Sequence, residues 1–414
     1  MSLPEMTDVV IIGGGPAGLA AARLLRAQGQ SVLVLEREAE AGGIPRHCGH
    51  YPFGMREYQR LMRGPAYAAR LVTEARAAGV QIATRTTVTA LHPGPRLSVT
   101  TPEGLCEIGA RRVLLATGLR ESSRAARGTG GSKPGGVLST GALQQLVYLP
   151  QSHGLPRPFR QPVILGSEMV AFSALLTCRQ AGIRPRAMIE PGSRVTARWP
   201  APLLPRALGV PLHLNTALVA IHGQHQVEAV TLRHGGEERQ LPCDGVIITG
   251  KFRPEASLIR ASHLRFDPAS GGPEVDQYGR CSDPGYFAAG NLLHPVETAG
   301  WCWAEGRRVA AALAASLAGA LPDTPAAGQI RVGGALSYLV PQRRVPIVAG
   351  VPVAVAPQLR AAEAVQGRLI LRQAGREIAA QPMNARPERR LHLKPGLLAA
   401  AGPGDIDLAL EAEA

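Results

Sequence analysis

Apolar runs and polar breaks divide the opening of the chain into three elements. Residues 9–12, Val-Val-Ile-Ile, contain no polar side chain, as a parallel strand covered on both faces requires. A glycine-rich break follows at 13–18, and residues 19–27 then continue as an apolar helix. Residues 32–35 read as a second buried strand, ended by Glu36. Downstream, the pattern predicts a helix over 64–78, a strand over 80–89, a hairpin across 97–101 and 105–108, and a buried strand at 113–116 closed by Thr117-Gly118.

The pattern weakens into Gly, Ser, Arg and Pro from 119 to 159, with one helix at 140–148. It then starts again. Residues 161–166 read as a strand, 168–180 as a helix and 186–190 as a second strand, a copy of the opening unit at a spacing of about 150 residues. Further strands are expected near 212–221, 227–232 and 246–249, where Ile-Thr-Gly echoes the earlier Ala-Thr-Gly at 116–118. Residues 285–290 resume the first domain with a short buried strand, and a long Ala-rich helix should begin at Val296 or Glu297. Beyond a Pro/Gly/Ala linker at 322–328, short runs at 335–340, 346–355, 368–371 and 391–393 read as a small, mostly β domain with a frayed acidic tail after Gly402.

The expected fold class is therefore α/β, with two Rossmann-like dinucleotide-binding domains, the second inserted in the first, and a small C-terminal β-rich domain. The expected boundaries are 1–120 and 251–320 for the split first domain, 121–250 for the insertion and 325–414 for the last.

The break at 13–18 reads Gly-Gly-Gly-Pro-Ala-Gly and carries a GxGxxG pattern between strand and helix, with an acid about twenty residues on. Gly13 permits the tight turn, Gly15 leaves room for a pyrophosphate, and Gly18 lets helix and strand approach. The free N–H groups of the helix meet the phosphates, and Glu36 accepts the ribose hydroxyls. The second copy reads Gly166-Ser167-Glu168, so its central glycine has become an acid. A carboxylate there crowds and repels a pyrophosphate. The copy reads as structural, with NAD(P)H binding kept open because Glu190 could still hold a ribose.

Composition narrows the classes. The chain has 414 residues, too many for one core, and 45% apolar with 18% charged residues describes a folded protein. Its formal charge of +14 comes from scattered arginines without interleaved aromatics, which argues against nucleic-acid binding and suits an acidic partner or anionic substrate. No apolar stretch of membrane-spanning length stands free of charges or breakers, and the N-terminus lacks a secretory layout. The six cysteines form no CxxC pair and no metal-like spacing, consistent with a cytoplasmic protein without a metal site.

Gly42-Gly43 opens a loop that leaves the ligand edge of the sheet and holds Arg46, His47, Cys48, His50, Tyr51 and Phe53. His47 and His50 are the candidate proton acceptors, Cys48 either a thiolate or a buried inert thiol, and Arg46 a candidate anion clamp. If the cleft holds a flavin, His294 and Glu297, at the start of the late helix, are candidates to tune it.

Three stretches, residues 42–54, the Thr-Gly-Ala-Leu-Gln segment at 140–144 leading into 163–171, and residues 288–306, carry a resemblance. Over residues 8–320 the chain resembles the pyridine nucleotide–disulfide oxidoreductase superfamily. Within it, the chain is similar to the FAD-binding α subunits of heteromeric opine, proline or hydroxyproline dehydrogenases and to anaerobic glycerol-3-phosphate dehydrogenase-like proteins. The resemblance implies FAD held by Gly13, Gly15, Pro16, Ala17, Gly18, Glu36, Arg37, Gly43, Val88, Ala116, Thr117 and Gly118. It adds Gly290, Asn291, Thr298 and Ala299, with Asn291 standing where the superfamily generally has Asp. It also implies two partners, a small [2Fe-2S] protein and a second flavoprotein subunit, the cluster lying on another chain. The expected function is oxidation of a small amino-acid-like secondary amine with electrons passed to a carrier. The alternatives are a stand-alone glycerol-3-phosphate or NAD(P)H dehydrogenase and a non-catalytic nucleotide-binding subunit.

Overall fold

The computed structural model describes residues 3–149, 152, 154–295, 297–321, 328–394 and 396–412. The chain separates into two units, one of Met1–Gly43, Ala68–Leu119 and Pro254–Ala414, the other of Ile44–Tyr67 and Arg120–Arg253. The segment Ile44–Tyr67 thus belongs with the inserted region, and the C-terminal β region belongs with the first unit.

In the first unit a parallel sheet runs Gln81–Ala83, Val32–Leu35, Met6–Ile12, Gly104–Leu115 and Tyr286–Ala288. Val9 to Ile12 are buried on both faces, which explains their unbroken apolar run. The helix Pro16–Ala27 starts on a proline, whose missing N–H costs nothing at that position. Residues 105–108 and 113–116, expected as separate strands, belong to one strand, Gly104–Leu115. Its first half pairs antiparallel with Arg96–Thr101 and its second half parallel with Met6–Ile12. Gly109, at the change-over, lies so close to the Met6 sulfur that a Cβ would come within 2.7 Å of it.

The strand expected over 80–89 is broken into Gln81–Ala83 and Thr87–His92. Arg85 takes a left-handed φ of 53° and donates its N–H to Glu38 O, while the Thr86 N–H bonds Glu36 O. The loop after the second strand therefore captures backbone that would otherwise continue the sheet.

The second unit repeats this plan. Its parallel sheet runs Leu212–His213, Ala187–Ile189, Val163–Leu165, Val246–Ile248 and Val137–Ser139. The strand expected over 212–221 is likewise broken, at Asn215 (φ 49°), whose N–H bonds Gly192 O while the Thr216 N–H bonds Glu190 O. The helices Thr140–Tyr148 and Met169–Gln180 cover a core around Leu143, Ile164, Phe172, Leu175 and Ile247.

The C-terminal region is β-rich, with a five-stranded sheet ordered Arg343–Arg344, Gly328–Gly334, Ile406–Ala412, Val365–Gln373 and Arg376–Ala385. Two expectations are corrected here. Within the tail expected to fray after Gly402, Ile406–Ala412 is the central strand, because Ile406, Leu408 and Leu410 alternate into the core. Residues 346–355 form no strand; the N–H groups of Ala354 and Val355 both bond Gln277 O instead of a neighbouring strand. Most of the expected linker, residues 322–327, lies outside the described residues.

The late helix is Ala299–Leu317 with Thr298 at its cap, later than the expected start. Val296 lies outside the described residues, and the backbone N–H of Glu297 is taken by the Asn291 side chain at 2.7 Å rather than by a helical turn. No helix of the described residues is long and apolar enough to cross a membrane.

Candidate functional site

The parallel strands of the first unit end together at Ile12, Leu35, Leu115 and Ala288, and the glycine turn lies at that edge. A Cβ on Gly13 would overlap the Ala116 carbonyl, and one on Gly18 would overlap the Gly13 carbonyl, so the protein's own packing demands both glycines. Gly15 is different. A Cβ there would meet only the Gly43 Cα, at an ordinary 3.9 Å. The space above Gly15 is therefore left open by the fold rather than filled by it.

Gly15 caps the helix without a side-chain hydrogen bond, and the first turn carries no acid, so its N–H groups are available to an anion. Glu36 is buried, with Oε2 accepting from Gly14 N–H and Oε1 from Glu38 N–H, both at 2.9 Å. Each oxygen keeps a second lone pair for a further donor. The Gly42 N–H ties the following loop back to Gly14 O at 2.7 Å, which brings Gly43 opposite Gly15.

Thr117 donates its hydroxyl to Glu255 O, and Glu255 N–H returns a bond to Gly118 O. Arg37, largely exposed, pairs loosely with Glu38 and Glu255 at 3.7 and 3.9 Å. Ala116 is buried beside the turn, and Val88 is buried within the ladder of Thr87–His92 with Arg96–Thr101.

The segment before the late helix lies against the same turn. Gly290 sits where a Cβ would come within 2.9 Å of the Ala17 Cβ, and a Cβ on Gly306 would overlap the Ala17 carbonyl, so the start of the first helix packs closely on the late helix at Gly306. Asn291 spends its amide on the backbone of Glu297, accepting at 2.7 Å and donating at 3.1 Å. Thr298 and Ala299 open the helix, again without a side-chain cap.

Beneath them Glu305 accepts from Gly290 N–H at 2.7 Å and pairs with His294 at 2.9 Å. Burial works against its charge, but the adjoining imidazole and these hydrogen bonds hold its carboxyl below the ordinary range. Gln358, from the C-terminal region, lies 2.8 Å from the same imidazole, and Arg360 and Arg390 both pair with Glu297. Sequence reading missed Glu305, Gln358, Arg360 and Arg390. Only Glu305, the seventh residue of the apolar helix Ala299–Leu317, carried a signal: a buried acid there needs a partner.

The loop expected to carry catalysis folds into the second unit. Ile44–His47 is a single 3₁₀ turn packed on the helix Thr140–Tyr148. Gly49 lies against the Tyr148 ring, and the Cys48 thiol points to Gln144 Oε1 at 3.5 Å. Burial and the Glu121 carboxylate push the Cys48 thiol up to about 12, so it is a protonated, buried thiol at neutral pH. Burial and the Arg46 guanidinium push His47 down to about 4, leaving it neutral. His50 is half-buried, its Nδ1 2.9 Å from Tyr51 O and its ring against Phe53. Among the described residues no group of three metal-ligating side chains occurs.

Known proteins resemble this chain at low identity. An opine oxidase subunit of Rhizobium meliloti (strain 1021) is 26% identical over 63% of the chain, a match spanning only 56% of that protein. The ferredoxin–NAD(+) reductase component of the biphenyl dioxygenase system of Paraburkholderia xenovorans (strain LB400) is 27% identical over 69% of the chain and 67% of its own length. The crystal structure of T. acidophilum thioredoxin reductase shares the fold, with a TM-score of 0.63 at 21% identity, covering 76% of this chain and 99% of its own. Residues 7–315 match the family described as pyridine nucleotide-disulphide oxidoreductase, and with the glycine turn, its acid and the repeated sheet in place, the chain belongs to that family of oxidoreductases.

Proposed function

We propose that this chain is an FAD-dependent oxidoreductase working as one subunit of a heteromeric dehydrogenase for a small amino-acid-like secondary amine. The observation that carries the cofactor is the unfilled space at Gly15, beside an uncapped helix start and a buried acid with free lone pairs. That cradle fits an adenine dinucleotide: the helix N–H groups would hold the diphosphate and Glu36 the ribose. Gly43, Thr117, Gly118, Gly290, Asn291, Thr298 and Ala299 would line its path along the sheet edge, and Arg37 and Val88 would flank the adenosine end. When bound, the flavin supplies the two-electron acceptor that converts an amine to an imine.

The chain's own residues would bind and orient. Arg46 suits an anion clamp for a substrate carboxylate, and His50, the more exposed of the two loop histidines, suits a proton acceptor. His47, neutral and buried, would position its neighbours. The buried Cys48 thiol and the absence of a CxxC pair from the sequence weigh against dithiol chemistry. The amine class and the place in a multi-subunit enzyme rest on the likeness to the opine oxidase subunit; a second flavoprotein and a small [2Fe-2S] protein are the partners that the family resemblance implies.

The test is the absorbance of the purified chain. Flavin bands at about 370 and 450 nm, with FAD released on denaturation, are expected. A colourless protein releasing only ADP or ATP would overturn the cofactor reading. Co-purification from the native cell that brings down no flavoprotein partner would overturn the subunit reading.

A further inference from the structure

The second glycine turn is not empty. Glu168 stands where the first turn has Gly15, and its carboxylate folds back into the crease between the two strand ends. It lies so close to Gly166 and Gly250 that a Cβ on either glycine would overlap it. Thr249, fully buried at the end of Val246–Ile248, has its hydroxyl 3.0 Å from Glu168 Oε1. The Arg127 guanidinium, nearly buried, sits 3.8 Å from the same oxygen. Beside it Glu190 accepts from the Ser167 hydroxyl and from Gly192 N–H, while Ser167 Oγ accepts from Thr196 N–H at 3.0 Å.

A pyridine nucleotide bound as the fold allows would put its pyrophosphate over this turn and its ribose on Glu190. The pyrophosphate position is taken by the Glu168 carboxylate, whereas Glu190, like Glu36, makes one hydrogen bond per oxygen. We propose that the Glu168 carboxylate, held by Thr249 and Arg127, occupies the pyrophosphate position of the second crevice and makes Glu168 the residue that excludes NAD(P)H from this chain. The exclusion combines volume with like charge, each costly to a dinucleotide. Removing the side chain does two things. It empties the crease, and it releases Arg127, two of whose nitrogens make no hydrogen bond among the described residues, to meet a phosphate. This inference concerns the second crevice alone and stands apart from the identity of the substrate.

The experiment titrates NADH, NADPH and ADP-ribose into the full purified chain and into E168G and E168A, following binding by calorimetry and nicotinamide fluorescence. The wild-type chain is expected to show no saturable binding, and both variants to gain affinity by at least about tenfold. Circular dichroism and a cooperative urea transition matching those of the wild-type chain report that each variant is folded. Saturable NADH or NADPH binding to the wild-type chain overturns the proposal even if neither variant folds. Folded variants that bind no better than wild type overturn it as well.

Discussion

At the first turn, Gly13 N–H bonds Leu35 O and Ala116 N–H bonds Ile12 O; at the second, Gly166 N–H bonds Ile189 O and Thr249 N–H bonds Leu165 O. The loops that follow are tied down alike, Gly42 N–H to Gly14 O in one and Ala197 N–H to Ser167 O in the other. Even the strand breaks match, with Arg85 and Asn215 both in the left-handed region and bonded to the loop two residues past Glu36 and Glu190. One frame is thus built twice from unrelated side chains. What differs is a single position, open at Gly15 and filled at Glu168. The lesson is that a backbone frame shaped for a dinucleotide specifies a site only where the side chain at the centre of the turn leaves it vacant.

The strongest way to break this comparison is to write the second turn into the first. Gly15→Glu should abolish bound flavin, leaving under about a tenth of the wild-type absorbance per chain, since several kcal/mol oppose a carboxylate facing a diphosphate. Retained flavin with an unaltered spectrum would show that the centre of the turn does not decide occupancy.

The two acids sharpen it. Glu36→Ala should lower flavin retention on dialysis by more than about tenfold and cost roughly 1–3 kcal/mol through the orphaned Gly14 and Glu38 N–H groups. Glu190→Ala should cost a similar stability in denaturant melts and leave flavin content unchanged. Equal flavin loss in both variants would contradict the assignment of the two crevices.

A third measurement addresses the second unit alone. His47 titrates at about 4 when folded and at 6.5 when unfolded, so between those values the unfolded chain binds a proton that the native chain does not. Stability should therefore fall as pH drops from 6.5 to about 4 and gain no further slope below it, with a ceiling of about 3 kcal/mol. In urea melts at a series of pH values, His47→Asn should flatten that slope; an unchanged slope would assign it elsewhere. The smallest effect belongs to Arg37→Ala, whose exposed, loosely paired side chain should contribute no more than about 0.5 kcal/mol to stability and little to flavin retention.

The repeated strand–turn–helix units, the acids ending their second strands and the odd carboxylate at position 168 were all legible along the chain. They are local: a fully covered strand must be apolar throughout, and a tight turn beside a helix must be glycine. The tail strand Ile406–Ala412 was also written locally, in the alternation of Ile406, Leu408 and Leu410, but its acidic residues concealed it. The loop chemistry was not legible. Whether Cys48 is a thiolate or His47 a base depends on desolvation by the helix Thr140–Tyr148, about a hundred residues away.

The same division holds at the late helix. Sequence placed an apolar helix after a buried strand, and nothing in it tied Glu305 to His294 and Gly290, or Gln358, Arg360 and Arg390 to the segment before that helix. Hydrophobic period and backbone geometry act between neighbours in the chain and are read there. Burial, pairing of charges and the contents of a crevice are set by whichever residues the fold brings into contact. For this protein, local pattern determined the two frames, and only tertiary contact decided what becomes of the groups around them.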